Sequence, residues 1–392
     1  MKNSVSNDPM QTDCVLSLTN KAGVIPYEEK GAQGNVAKED YTQYKLAYPH
    51  TIVANSMNIL IGSVGICNYF GCVSPVYYVF KPTDKADLFY INYIMQTVPF
   101  QKELRRYANG ILEIRLRVSA NGILKRKIAI PSLDQQKSIV AEINKKCAAI
   151  DSMVANQQAQ IEKLKEYKQS VITEAVTKGL DPSVPMKPSG VEWIGEVPIN
   201  FSIQNIRSLF QIRKEVIGRE PETVLSITQS GLKIKNVSEN EGQMANSYAN
   251  YQIVHIGDFA MNHMDLLTGG IGISKYEGVT SPDYRVFKIK KVSYIKKYFL
   301  YVFETYYRNK IFYAFGQGAA NLGRWRLPAQ NFYSIFIPVP SVKDQQQIAD
   351  HLDKKCAEID KLISVKQQKI EKLNEYKKSL IYEYVTGKKE VG

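Results

Sequence analysis

Apolar residues recur at heptad spacing in two long stretches of the chain. In the first, Ile143, Ile150, Leu164 and Val171 form one row, with Cys147, Val154, Ile161 and Ala175 as its companion. In the second, Leu352, Ile359, Leu373 and Leu380 stand beside Cys356, Ile363, Ile370 and Tyr384. So narrow a stripe predicts a coiled-coil seam, because the heptad repeat keeps both rows facing a partner helix. Gln157 and Lys168 interrupt the first stripe, and Lys366 and Lys377 interrupt the second at the same places. Polar residues inside a seam usually set register at some cost in stability. A helix of about 43 residues is about 65 Å long, more than one small domain can cover. A second reading, each helix laid on its own globule, stays open beside the seam.

The two stretches are copies. Residues 131–177 match residues 340–386 without a gap at an offset of 209, with roughly half the positions identical. Lys145-Lys146-Cys147-Ala148 returns as Lys354-Lys355-Cys356-Ala357, and Ile161-Glu162-Lys163-Leu164 as Ile370-Glu371-Lys372-Leu373. The segments between them are also related. Val15-Leu16-Ser17-Leu18-Thr19 echoes Val224-Leu225-Ser226-Ile227-Thr228, and at an offset of 207 Asn55, Gly62, Gly65, Tyr69, Gly71 and Pro75 return as Asn262, Gly269, Gly272, Tyr276, Gly278 and Pro282. A repeat this long fixes the order globule, helix, globule, helix. The predicted boundaries are 1–130 and 190–339 for the globules, 131–178 and 340–388 for the helices, a proline-rich linker at 179–189 and a tail at 389–392. Prolines 182, 185 and 188 stiffen that linker by fixing φ and removing backbone donors. The expected fold class is α+β: two mixed α/β globules separated by two long antiparallel coiled-coil helices, with pseudo-two-fold internal symmetry. Antiparallel pairing would bury both seams and space the globules like a caliper.

The chain of 392 residues is long enough for two cores, and its net charge of +13 suits a polyanionic partner. Residues 1–130 and 179–339 each carry +5, whereas the helical copies carry +1 and +2. The excess therefore sits on the globules, which suits phosphate neutralisation there; a binder of anionic membranes would instead carry a basic amphipathic helix. Arg115-Leu116-Arg117 and, at the repeat offset, Arg324-Trp325-Arg326 place arginines two apart, which strand geometry would aim at one face. Such forks can grip a guanine edge or a phosphate; a solvated strand face is the other reading. Asn68-Tyr69 and Lys275-Tyr276 are further candidates for DNA contact, against the alternative of rim packing.

Other chemistries find little support. No run of about 18 apolar residues suggests a membrane span and no secretory signal opens the chain, so the expected compartment is the cytoplasm. The five cysteines, Cys14, Cys67, Cys72, Cys147 and Cys356, include no C-x-x-C pair and read as reduced thiols. Ser74-Pro75-Val76-Tyr77 and Ser281-Pro282-Asp283-Tyr284 imitate the catalytic loop of an amino-methyltransferase but lack its second proline. Gly269-Gly270-Ile271-Gly272 leads to no helix start, so it reads as a turn between strands rather than a phosphate cradle, and no G-x-x-x-x-G-K-[ST] loop is present. His255 and His263 lack an obvious third metal ligand. We assign no catalytic residue and no metal site.

With these residues in view, the chain resembles the specificity subunits of type I restriction-modification systems over nearly its whole length. The features that carry the resemblance are the Pro-Ser and Gln-Gln helix start at Pro131 to Gln136 and at Pro340 to Gln346, the Lys-Lys-Cys-Ala and Ile-Glu-Lys-Leu helices, and Gly190-Val191-Glu192-Trp193-Ile194-Gly195-Glu196-Val197-Pro198, which looks like that family's module opening. The resemblance implies two target-recognition domains with DNA-reading loops, each reading one half of a split sequence in double-stranded DNA. It implies that the helices set the spacer and help recruit two methyltransferase subunits, and that two restriction subunits, the translocase-nucleases, can join. The subunit itself would be no enzyme; S-adenosylmethionine, ATP and magnesium would belong to the partners. One departure stands out: residues 1–130 are 31 shorter than residues 179–339, and no counterpart of residues 190–197 precedes Val15. The first recognition domain is therefore expected to be N-terminally shortened. A rival class, a coiled-coil scaffold with impaired DNA recognition, stays open beside the main reading.

Overall fold

The computed structural model describes residues 5–19, 23–31, 40–109, 116–229, 231–236, 245–318 and 325–391. They fall into two compact units: Met1–Ala159 with Lys366–Gly392, and Gln160–Val365.

Unit 1 opens with the hairpin β1 (Leu16–Thr19) and β2 (Gly23–Pro26). Five strands follow: β3 (Lys45–Ala47), β4 (Thr51–Asn55), β5 (Val64–Cys67), β6 (Gly71–Val73) and β7 (Tyr77–Phe80). They pair as β3-β6 and as the antiparallel sheet β5-β4-β7. All five residues of β4 are buried, the fate of a short apolar run covered on both faces. Helix α1 (Leu88–Gln96) begins where the Asp87 carboxylate accepts from the Tyr90 amide, satisfying a donor the first turn leaves unpaired. Then come α2 (Val98–Arg105), the short pair β8 (Ala108–Asn109) and β9 (Arg117–Val118), α3 (Ala120–Leu124) and the long α4 (Leu133–Lys178).

Unit 2 begins with β10 (Met186–Pro188), β11 (Glu196–Pro198), β12 (Ser202–Asn205), α5 (Ile206–Leu209) and β13 (Phe210–Arg213). It continues with β14 (Leu225–Thr228), β15 (Gly231–Ile234), β16 (Gln252–Val254), β17 (Phe259–Met261), β18 (Ile271–Ile273), β19 (Gly278–Thr280) and β20 (Arg285–Ile289). Helices α6 (Lys296–Arg308), α7 (Ile311–Ala314) and α8 (Ala329–Ser334), strand β21 (Phe336–Val339) and the long α9 (Val342–Val385) complete the chain. The pairing of unit 1 recurs: β14-β15 repeats β1-β2, β16-β19 repeats β3-β6, and β18-β17-β20 repeats β5-β4-β7. Three additions distinguish unit 2. β13 pairs with the outer edge of β20, β12 pairs with β21, and β10 pairs with β11. No counterparts of these strands stand among the described residues of unit 1. The core of unit 2 is aromatic, with Phe259 stacked on Phe287 at 5.3 Å and Phe210 edge-on to both, the offset and edge geometries that ring quadrupoles favour.

The long helices start alike. Ser132 Oγ accepts from the Gln135 amide at 3.4 Å and Ser341 Oγ from the Asp344 amide at 3.2 Å, so each serine is an N-cap. Gly179, at φ +73, follows the end of α4 in the left-handed conformation that closes many helices. Within each unit the two helices run antiparallel. In unit 1, Lys377 on α9 donates to both carboxylate oxygens of Asp151 on α4, while Glu142, nearer the start of α4, feels Lys389, beyond the end of α9. In unit 2, Lys168 donates to both oxygens of Asp360, while Lys178 and Ile348 line one small cavity. The two ion pairs occupy repeat-equivalent positions, so the lysines that interrupt the stripes reach across to the partner helix. Among the seam residues, Ile143, Cys147, Ile150, Ile370 and Leu380 are buried in unit 1, and Ile161, Leu352, Cys356 and Ile359 in unit 2. Val154, Leu164, Val171, Ile363 and Leu373 are half-buried.

The seam and the globule are not alternatives. Ile143, Cys147, Ile150 and Leu380 share one core with Tyr90, Ile91 and Ile94 of α1. Leu352 and Cys356 likewise share a core with Tyr298, Phe299 and Val302 of α6. At the end of α4 the buried face shifts off the heptad row: Ile172 and Val176 are 2% and 0% exposed, whereas Val171 is only half-buried. There the helix follows its globule, which demands a wider apolar face than a two-helix seam.

Candidate nucleic-acid interface

The second arginine of each pair lies in a short two-stranded contact. Arg115 and Arg324 lie outside the described residues. Arg117 is exposed on β9 opposite Asn109, and Arg326 is exposed opposite Gln317, with which it exchanges backbone hydrogen bonds of 2.7 and 2.9 Å. The residue after each arginine turns inward. Val118 and Leu327 are both 0% exposed, and their amides donate to the Ser56 and His263 carbonyls, each at 3.0 Å. The buried apolar side chain thus fixes the outward aim of the preceding arginine. Trp325 uses its polar atom inside the protein: the indole N–H donates to the Tyr313 carbonyl at 2.8 Å and the ring packs on Tyr313.

Arg326 stands at a cavity of about 550 Å3 that also takes Arg213, Lys214, Gln252, His263, Tyr284 and Arg285 into its wall. None of its described lining residues is acidic. Arg213 is partly neutralised by Glu215 at 3.2 Å and Asp258 at 3.3 Å, but among the described residues no carboxylate pairs with Lys214, Arg285 or Arg326. Arg285 is 6% exposed; its Nη2 donates to the Leu327 carbonyl at 2.7 Å and its guanidinium lies 4.9 Å from the Phe332 ring centre. Burial pushes its pKa down to about 10, so it stays charged at neutral pH. His263 is pushed down to about 4, first by burial and then by Arg285, Arg326 and Lys214, so its imidazole is neutral. Its buried Nδ1 has no hydrogen-bond partner among the described residues. A neutral imidazole offers one donor and one acceptor, and uncompensated guanidinium groups favour an anion or a guanine edge. This wall can therefore meet a phosphate and a base edge together.

The sequence reading named Arg326 but missed Lys214, His263 and Arg285. The legible signal was Arg285 itself, a charge set in the apolar run Arg285-Val286-Phe287. The repeat-equivalent positions in unit 1 hold different chemistry: Lys45 replaces Gln252, Ser56 replaces His263 and Tyr78 replaces Arg285. The backbone geometry is nevertheless kept. The Gln252 amide donates to the Tyr284 carbonyl at 2.5 Å, and the Lys45 ammonium donates to the equivalent Tyr77 carbonyl at 2.6 Å while standing over the Tyr78 ring.

Asn68 and Tyr69, and Lys275 and Tyr276, are exposed in the β5-β6 and β18-β19 turns and do not line the cavity. These turns are built alike, with the Cys67 thiol donating to the Tyr69 carbonyl and the Ser274 hydroxyl to the Tyr276 carbonyl. The repeated glycines are explained by close backbone approach: a Cβ on Gly71 would stand 2.6 Å from the Cys14 carbonyl oxygen, and one on its repeat-equivalent Gly278 2.9 Å from that of Thr223. Gln136 and Gln345, both 0% exposed, clasp the two copies of the fold. Their side-chain oxygens accept from the Asp87 and Ile295 amides beside α1 and α6, while their amides donate to the Pro131 and Pro340 carbonyls. His255 contacts Glu277 at 3.0 Å. Among the described residues no group of three or more His, Cys, Asp or Glu side chains could hold a metal, and no helix is long and apolar enough to cross a membrane.

Comparison with known proteins agrees with this arrangement. The family model of the type I restriction modification DNA specificity domain matches residues 231–375, which include the basic cavity's His263, Arg285 and Arg326. A Methanocaldococcus jannaschii chain assigned as the specificity subunit of the type I restriction enzyme MjaX is 23% identical over 315 residues, covering 78% of this chain and 69% of that one. The MjaVIII specificity subunit of the same organism is 25% identical over 279 residues, covering 67% of this chain and 62% of its own length. In fold, the chain is similar, at a TM-score of 0.68 and 9% identity, to a chain solved in work on complex assembly and conformational transition of the type I R-M system; the match covers 99% of this chain and 95% of that one. The chain is therefore similar to specificity subunits of type I restriction-modification systems, and its residues 231–375 match the DNA specificity domain of that family.

Proposed function

We propose that this chain reads a bipartite sequence in double-stranded DNA, one half-site per unit, and recruits two methyltransferase subunits and two restriction subunits to it in the cytoplasm. It is a non-catalytic subunit in this reading, and S-adenosylmethionine, ATP and magnesium serve the partners. The observation that carries the reading is the cavity at Arg326, where Lys214, Arg285 and Arg326 face no carboxylate among the described residues and a neutral His263 supplies a base-reading group. Phosphate contacts position a protein on the duplex and base-edge contacts give it sequence preference; this wall has groups for both. The differing residues at the equivalent positions of unit 1 support two unlike half-sites.

The test is duplex binding by the assembled methyltransferase complex across a salt series. Substitution of Arg324 and Arg326 by alanine should weaken binding by about 1–3 kcal/mol or relax preference in one half-site, with methyltransferase assembly intact. A complex with no salt-sensitive affinity for any duplex would instead favour the scaffold reading.

A further inference from the structure

A guanidinium set into a sheet is costly, because the desolvation of a buried charge is offset only by close partners. Arg285 opens β20, opposite Met261 of β17, and is buried with no carboxylate against it among the described residues. Its Nη2 instead donates to the Leu327 carbonyl at 2.7 Å, and its guanidinium stands over the Phe332 ring. Packing alone does not call for a cation there, since an apolar side chain of similar volume fills such a place without the desolvation cost.

What Arg285 holds is the residue after Arg326. The buried Leu327 gives its amide to the His263 carbonyl at 3.0 Å and takes Arg285 on its own carbonyl, so both of its backbone groups are tied to the sheet. Arg326 itself exchanges backbone bonds of 2.7 and 2.9 Å with Gln317, and the Trp325 indole donates to the Tyr313 carbonyl at 2.8 Å. The exposed Arg326 side chain therefore leaves from a segment held at three consecutive residues. A phosphate contact needs no such rigidity, whereas a two-bond grip on guanine O6 and N7 requires the arginine fork in one plane. Unit 1 keeps the bond from the Val118 amide to the Ser56 carbonyl but has Tyr78 at the place of Arg285, its ring under the Lys45 ammonium.

We propose that Arg285 is a positioning residue for Arg326, and that the fork so aimed reads a guanine in the half-site of unit 2; this rests on the DNA-reading role proposed above. Arg285 touches no base and no phosphate. It acts through the Leu327 carbonyl, fixing the direction in which Arg326 leaves the backbone. Its loss frees that carbonyl and lets Arg326 swing, so that preference for the guanine falls while the phosphate contacts persist.

The test selects duplexes from a random pool with the complex reconstituted with methyltransferase subunits, then measures affinity for the selected duplex and its single-base variants. The wild type should prefer guanine at one position of one half-site by about tenfold or more. Arg326→Ala and Arg285→Met should each reduce that preference to about threefold or less, leaving every other position unchanged. Arg285→Met should also keep the wild-type slope of affinity against salt, because no phosphate contact is lost. Arg285→Lys, whose ammonium can still donate to the Leu327 carbonyl, should retain the preference. An undiminished guanine preference in Arg285→Met, an even loss at all positions, a salt slope lowered by about one, or a loss in Arg285→Lys as complete as in Arg285→Met would overturn the positioning role while leaving DNA reading in place. A wild-type complex that selects no sequence would overturn both.

Discussion

At the scale of single residues, the cavity at Arg326 combines groups that behave differently with pH. His263 has a folded pKa of about 4 against 6.5 for a free histidine, so the unfolded chain takes up its proton first. The stability tied to its neutral form is complete above about pH 6.5 and declines as pH falls towards 4. The contribution lost is on the order of 2–3 kcal/mol at most. Urea unfolding midpoints at pH 7 and pH 5 should therefore differ less for His263→Gln than for the wild type; an equal drop in both would remove His263 as the source. Arg326 and Arg117 were legible in the sequence because a repeated Arg-x-Arg pair attracts notice. The meeting of His263 and Arg285 with Arg326 was not, since chain positions so far apart converge only through the pairing of β17 with β20 and the return of residues 325–327 to His263. Trp325, between the two arginines, spends its N–H on Tyr313.

At the scale of elements, heptad spacing located both long helices, while the reciprocal ion pairs and the glutamine clasps emerged only in three dimensions. A seam pattern shows where a partner helix goes, but not that Lys168 and Lys377 find Asp360 and Asp151 across it. These pairs are partly exposed, with lysine side chains 20% and 29% accessible, so each contributes only about 0.5 kcal/mol. Asp151→Lys with Lys377→Asp should restore the thermal stability that either single reversal lowers; failure of the double reversal to recover would show that the pair does not set the local register. The glutamines matter more, because they satisfy buried backbone groups. Gln345→Ala should cost about 1–3 kcal/mol and raise hydrogen exchange at the Ile295 amide, with Gln136→Ala doing the same at Asp87. Unchanged exchange at those amides would contradict the clasp. The length difference between the two globule segments was legible in the sequence; the pairing of β12 with β21 was not.

At the scale of the whole molecule, the duplication accounts for the two-unit organisation, and divergence within it gives each unit its own surface chemistry. The same hairpin, sheet and turn geometry carries Gln252, His263 and Arg285 in one unit and Lys45, Ser56 and Tyr78 in the other. Two copies that read identical half-sites would have no need of such divergence. The most direct measurement is nuclease footprinting of the complex reconstituted with methyltransferase subunits on its methylated target. We expect two protected segments separated by an unprotected spacer, with Arg326→Ala thinning protection in one segment only. One continuous footprint, or equal loss in both segments, would contradict the assignment of one half-site to each unit.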